Sequence, residues 1–290
     1  MRRRDFIKNS MFGAIAMTSL SDLKKFSDGL ARQENKMPIM FVGHGSPMNA
    51  IEDNEFTKEW VRIGKNLVKP SAIVSISAHW FTKGTFVTSM ENPETIHDFY
   101  GFPKELFDVE YPAKGNPALA NQTKEIIHNA EVILDKEWGL DHGTWSVLRR
   151  MYPEADIPII QLSIDYTKDA HWHFELAKEL EVLRNKGVLI LGSGNIVHNL
   201  RLVNWKNPDE KYDWAEDMNS KFKENILSNE FSKLINYNDF GSEAKLAIPT
   251  PDHYFPMLYI LGLKQKNEEV LFFNDKTVLG SVSMTSFMTL

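Results

Sequence analysis

Nine histidines are spread over 290 residues, and five of them stand where a strand-like run ends or a helix opens. The apolar run Ile39 to Val42 breaks at once into Gly43-His44-Gly45-Ser46-Pro47. Glycine on both sides of His44 permits a sharp turn, and Pro47 stops the strand from continuing as an interior one. Ala72-Ile-Val-Ser-Ile-Ser-Ala-His79-Trp80 repeats the device, and Val188-Leu-Ile-Leu-Gly192 opens into Ser193-Gly-Asn-Ile-Val-His198-Asn199. His142 follows Gly139-Leu-Asp141, and His253 sits in Thr250-Pro-Asp-His-Tyr-Phe-Pro256 ahead of a helix-like segment. One such histidine is most often a hydrogen-bonded cap or core residue. Several from distant parts of one chain, at the strand ends where open α/β sheets bind ligands, predict convergence on a metal. Cysteine is absent, so disulfides, thiolate ligands and cysteine nucleophiles are excluded together. The remaining nitrogen or nitrogen/oxygen donors suit Zn, Fe, Ni or Cu rather than Mg or Ca.

The other four histidines read differently. His128 falls in an ordinary helix pattern and is expected on the solvated surface, while His171 and His173 flank Trp172 at a helix start, where capping or packing is expected. His97 belongs to a run rich in Pro, Gly and aromatics over residues 91–117. That run has neither a helical nor a strand period, and a loop of such length is usually functional.

The elements that must position these groups alternate. Helical spacing of Phe56, Trp60, Ile63 and Val68 predicts a helix over 54–68, closed by Pro70. Strands are expected at 73–77, 84–89, 132–134, 157–163 and 188–192, and helices at 118–130, 144–151, 171–185 and 256–263. Residues 205–245 read as polar and helix-rich, and 271–274 with 278–283 as a closing hairpin around Asp275-Lys276. This alternation predicts an α/β fold: a single domain with a mainly parallel central sheet flanked by helices.

Composition is that of an ordinary globular chain, with 42% hydrophobic and 25% charged residues and a net charge of −6. No basic block lies outside the N-terminus, so a nucleic-acid partner is not expected. Residues 1–36 stand apart. Arg3-Arg4-Asp5-Phe6-Ile7-Lys8 precedes a short, weakly apolar stretch, which resembles a twin-arginine export signal followed by a polar linker. The stretch is too short for a stable membrane span. Those 36 residues hold eight Lys/Arg against four Asp/Glu, so 37–290 carry a formal charge of −10. The expected location is therefore periplasmic or cell-envelope, with the cytoplasm as the alternative. Cell fractionation tests this expectation, and recovery from the cytoplasm alone would count against it.

Taken in order, His44-Gly-Ser-Pro47, Ser77-Ala-His79-Trp80, His97-Asp-Phe-Tyr-Gly-Phe-Pro103, Leu140-Asp-His142-Gly-Thr-Trp145, Gly192-Ser-Gly-Asn-Ile-Val-His198-Asn199 and Pro251-Asp-His253 resemble the DOPA-type extradiol ring-cleavage dioxygenases, within the class III extradiol enzymes. The likeness runs from about residue 38 to the C-terminus, including Ser281-Val-Ser-Met-Thr-Ser286. It implies an α/β catalytic domain over 37–290 that opens a catechol ring beside the diol with O2. It implies His44, His79 and His253 as metal ligands, with Asp252 adjacent, and His198 as a further ligand or the acid/base. It implies His142 beside substrate or oxygen, Fe(II) as the catalytic metal, and Zn(II) as an ion that occupies the same site. His97, Phe99 and Tyr100 are expected to cover the substrate ring; Tyr254 either lines the same pocket or anchors the following helix.

Two other functions compete. Three histidines and one open position also make a zinc hydrolase, and a non-catalytic metal- or catechol-binding protein would use the same donors. Self-association is left open.

Overall fold

The computed structural model describes residues 36–290, so the expected export signal lies, but for Lys36, outside the described residues. A six-stranded sheet forms the centre, ordered Ile159–Gln161, Ala72–Ser77, Val188–Gly194, Ile39–Gly43, Ser286–Thr289 and Val270–Phe273. The first four strands are mutually parallel, and Ser286–Thr289 runs antiparallel to both of its neighbours. This is the single α/β domain with a mostly parallel sheet that the alternation of elements predicts.

Both sheet faces are covered, which explains why the central strands read as unbroken apolar runs. Side chains alternate across the sheet. Ile39, Phe41, Val74, Ile76 and Ile190 enter one core with helices Ala170–Glu179, Asp213–Leu227 and Phe255–Leu263. Met40, Val42, Ile73, Leu189 and Leu191 enter the other with helices Glu55–Asn66 and His142–Met151. Helix Glu55–Asn66 starts where Asn54 and Thr57 form a reciprocal capping box. Helix Phe255–Leu263 is apolar on all sides because it is buried almost throughout, packed against both the sheet and helix Ala170–Glu179.

Register places the functional edge. Gly43 lies opposite Gly194, and Ser77 opposite Ser193, so the carboxyl ends of three adjacent strands finish level. At the other end of the sheet, the buried pair Arg184–Glu268 ties the chain together. Arg184 Nε donates to the Met37 carbonyl at 2.8 Å and Nη1 to the Leu263 carbonyl at 3.1 Å. A buried ion pair with its remaining donors satisfied specifies geometry rather than adding much stability.

Two expectations fail. Residues 271–274 do not pair with 278–283: Val270–Phe273 pairs with Ser286–Thr289, and the small ladder Thr277–Val278 with Val282–Ser283 closes separately. A local turn at Asp275-Lys276 loses to the larger apolar pairing that the sheet offers Phe272 and Phe287. Within 91–117 a single helical turn forms at Lys104–Phe107, where the rest has no regular structure apart from an isolated bridge at Thr95.

His173 is buried in the helix layer rather than near the sheet edge. Its Nε2 donates to the Asp165 carbonyl at 3.1 Å, so its Nδ1 accepts from the Tyr259 hydroxyl at 2.9 Å. Burial, opposed by Asp165 and Asp169, pushes its pKa down to about 4. The unfolded chain therefore binds this proton more readily than the native one, and stability contributed by neutral His173 is full above pH 6.5 and lost as pH falls through about 4. Metal-free protein is expected to lose roughly 3 kcal/mol across that window from this group alone. Urea titrations at several pH values would show it, as a slope that His173→Gln flattens.

Candidate active site

The five strand-end histidines meet at the level carboxyl edge. His44 follows its strand directly, and its backbone N–H donates to the Gly194 carbonyl at 3.0 Å. Gly45 then takes φ +61°, the left-handed region that a side chain would strain. His79 lies two residues beyond Ser77, where Ala78 N–H donates to Ser193 at 2.9 Å. His142 opens helix His142–Met151, capped by Asp141. His198 leaves the edge of strand Val188–Gly194 through a loop, bridging to Val282. His253 lies in the turn before helix Phe255–Leu263, and Asn195 N–H donates to its carbonyl at 2.9 Å. A Cβ on Gly194 would stand 2.2 Å from that carbonyl oxygen, so only glycine lets the His253 turn approach the strand.

Ring centroids of His44 lie 5.0 Å from His79, 5.5 Å from His142 and 5.3 Å from His253. His79 and His142 are 3.9 Å apart, and His198 stacks on His253 at 3.6 Å with planes 9° apart. Ligand atoms of His44, His79 and His142 fall within 4.8 Å of one another, as do those of His198, Asp252 and His253.

The Nδ1 atoms are held from behind. Ser193 donates its hydroxyl to the Gly143 carbonyl, so it accepts from His44 Nδ1 at 3.0 Å. Asp98 lies 3.1 Å from His79 Nδ1 and 3.0 Å from His142 Nδ1, and it accepts from the His142 backbone N–H at 2.9 Å. Asp252 accepts from His253 Nδ1. With Nδ1 of His44 and of His253 bonded, their Nε2 atoms turn to the interior, and the Nε2 atoms of His44 and His79 stand 3.2 Å apart. Two acceptors that close are stable only around a shared proton or a cation. The donor set therefore fits a metal ion bound through imidazole nitrogen. His198 is different: no hydrogen bond to its imidazole is found among the described residues.

Charge follows this arrangement. Burial, reinforced by His79 and His253, holds His44 well below the ordinary imidazole range. Burial does the same for His198, with His253 adding to it. It also lowers His253 against the pull of Asp252, and His142 against Asp98. His79 is raised: burial opposes its charge, but Asp98, Asp141 and Asp252 outweigh burial. Asp98 and Asp252, though burial works against them, are held below the usual carboxylate range by their imidazole partners.

These imidazoles floor a cavity of about 810 Å³. Asp98, Phe99, Tyr100 and Phe102 form part of its wall, so the aromatic loop does border the site. Two expected substrate contacts are placed elsewhere. His97 faces away from the cavity, with Nε2 donating to the Val109 carbonyl at 3.0 Å and its ring near Phe107 and Trp145. Tyr254 is buried beside Phe222 and Tyr237, and its hydroxyl donates to the Leu234 carbonyl at 2.9 Å, so it anchors its helix rather than lining the pocket. Nothing in the sequence marks Asp98 or Ser193, since each is a single polar residue inside or just before a histidine-bearing segment.

A buried network stiffens the floor beneath His79 and His142. Asp141 accepts from Ser77 Oγ at 2.7 Å and from Gln161 Nε2 at 2.7 Å, linking the strand before His79 to the helix that begins at His142.

The profile of the catalytic LigB subunit of aromatic ring-opening dioxygenase matches residues 37–281. A 4,5-DOPA dioxygenase extradiol from Escherichia coli (strain K12) is 49% identical over 255 residues, 87% of this chain and 94% of that protein. One from Beta vulgaris is 34% identical over 266 residues, 89% of this chain and 98% of that protein. A crystal structure of an uncharacterized Escherichia coli K12 protein superposes with a TM-score of 0.77 at 45% identity, covering 87% of this chain and 99% of that one. With the histidine-floored cavity at the sheet edge, these matches establish that the chain belongs to the LigB family of extradiol aromatic ring-opening dioxygenases.

Proposed function

We propose that the protein is an iron-dependent extradiol dioxygenase that opens the ring of a DOPA-like catechol with O2. The observation that carries this reading is the set of five imidazoles lining one cavity, with Nδ1 of His44 bonded to Ser193, Nδ1 of His253 to Asp252, and Asp98 beside Nδ1 of His79 and His142. His44, His79 and His253 would hold the metal, with His198 beside it. A ferrous ion bound there would supply Lewis acidity toward the catechol and a path for electrons between catechol and O2. A zinc ion would fit the same nitrogens without the redox chemistry.

The chain's own groups do the rest. His198 is neutral at physiological pH because burial disfavours its cation. Among the described residues no hydrogen-bond partner occupies its imidazole nitrogens, so it can take a catechol proton and return it to the opened product. His142 lies 3.9 Å from His79 by ring centroids, against Phe99, and would steady the bound oxygen atoms or the substrate. Phe99, Tyr100 and Phe102 would cover the ring and exclude water. Asp98 serves two of the imidazoles at once. Lying 3.1 Å and 3.0 Å from the two Nδ1 atoms, its carboxylate attracts them and favours the orientation that turns Nε2 toward metal or substrate.

Loading the metal-free protein anaerobically with Fe(II), then adding O2 and a catechol, is expected to give oxygen uptake and a yellow ring-opened product; a hydrolase would show neither. In His198→Asn the ring-opening rate is expected to fall about 10²–10⁴-fold while anaerobic catechol binding survives. Loss of binding in step with rate would make His198 a ligand rather than the acid/base. For Asp98→Asn, metal affinity is expected to drop about 10–100-fold, read by competition with a chelator. An affinity within twofold of the parent would remove Asp98 from this role.

A further inference from the structure

We propose that Lys276 recognises a carboxylate at the far end of the catechol's substituent, and so selects among substituted catechols. The inference rests on the ring-opening reading for the position of the ring, at the imidazole floor. The cavity, at about 810 Å³, is far roomier than one dihydroxybenzene requires, and it falls in the range that encloses drug-sized ligands. Its two ends differ. The floor is made of buried imidazoles, whereas Glu55 and Asp209 at the other end have side chains 62% and 86% exposed, which places them at the mouth. Lys276 lies with them, sheltered at 29% exposure. Among the described residues that line the cavity, it is the only lysine or arginine. Between the ends the wall is apolar, including Phe99, Phe102, Val278 and Met284. A ligand matching that distribution has a metal-chelating diol, an apolar spacer and a terminal charge.

The sign of that charge follows from how Lys276 is held. Its Nζ lies 2.6 Å from Glu55 and 3.5 Å from Asp209, above the Phe56 ring at 5.9 Å. The Asp209 contact is long and solvent-exposed, so it contributes little and is readily exchanged. A substrate carboxylate can take its place against the sheltered ammonium, while Glu55 keeps the lysine aimed. A cationic substituent would instead meet the lysine's own charge.

The test measures binding to zinc-loaded protein without oxygen, by calorimetry, so that turnover plays no part. The ligands are 3-(3,4-dihydroxyphenyl)propanoate, uncharged 4-ethylcatechol and 2-(3,4-dihydroxyphenyl)ethylamine. The propanoate is expected to bind roughly 10- to 100-fold more tightly than 4-ethylcatechol, with the margin shrinking as salt is raised. Lys276→Met is expected to bring the ratio of these two affinities toward one, and Lys276→Arg to keep most of it. Glu55→Gln, which frees the lysine, is expected to raise the ratio, an outcome that loosened structure could not produce. Equal binding of the propanoate and 4-ethylcatechol, preference for the ethylamine, or a Lys276→Met ratio equal to the parent's would each overturn the proposal. Oxygen uptake by the iron-loaded enzyme with 4-ethylcatechol judges the ring-opening reading separately, because that ligand carries no charge for Lys276 to read.

Discussion

The convergence of imidazole lone pairs in a buried space is the constraint on which the rest of this molecule depends. Each ring is polar at both nitrogens, and a buried polar atom without a partner costs about 1–3 kcal/mol. The fold meets that demand incompletely. Ser193 and Asp252 accept from Nδ1 of His44 and of His253, but His142 Nδ1 has no hydrogen bond although Asp98 lies 3.0 Å away, and Nε2 of His44 meets only Nε2 of His79 at 3.2 Å. The deficit left on the inner side is one that a cation relieves. Stability has been conceded at the sheet edge, where the donor set fits a cation.

Such an arrangement needs a frame that does not relax. Three adjacent parallel strands end in register, so a shift of one residue would turn every alternating side chain to the wrong core. Glycines answer the places where backbones must come closer than a side chain allows, Gly194 against the His253 carbonyl and Gly45 in the turn after His44. Below them, Asp141 joins Ser77, Gln161 and the first turn of the His142 helix into one buried network. Of the five histidines, His142 opens a helix, while the other four stand in short turns and loops pinned by backbone hydrogen bonds such as His44 N–H to Gly194 and His198 N–H to Ala247.

Much of this was legible in the sequence, and the limits have physical causes. Strand ends are marked twice, by an apolar run and by the Gly/His/Pro break after it, so His44, His79 and His198 could be located before any coordinates. Alternation of elements sufficed for the parallel sheet. Pairing between distant strands was not legible: Val270–Phe273 and Ser286–Thr289 are joined by core packing, and nothing local announces it. The same holds for side-chain direction in irregular segments. His97 and Asp98 are neighbours in one loop, yet the first turns to the Val109 carbonyl and the second to two imidazoles. Tyr254, adjacent to His253, turns inward because its hydroxyl finds the Leu234 carbonyl. In a loop, adjacency to a functional residue says little about where the next side chain points.

The division between floor and wall bears on how such a site can serve different substrates. The imidazoles gather at the edge of the sheet, whereas much of the cavity wall comes from 98–102, from 205–209 and from 276–284, all outside the main sheet. Chemistry is thereby fixed where the fold is stiffest, and fit to the substrate is assigned to segments that tolerate change. Asp98 is the exception that couples them. It belongs to the aromatic wall by position and to the imidazole floor by contact, so displacement of that loop also alters the surroundings of His79 and His142. Substitutions at Phe99 or Tyr100 are therefore not independent of the histidine cluster in the way that substitutions at Val278 or Leu279 can be. The loop can vary in its aromatic faces only so far as Asp98 stays between its two imidazoles.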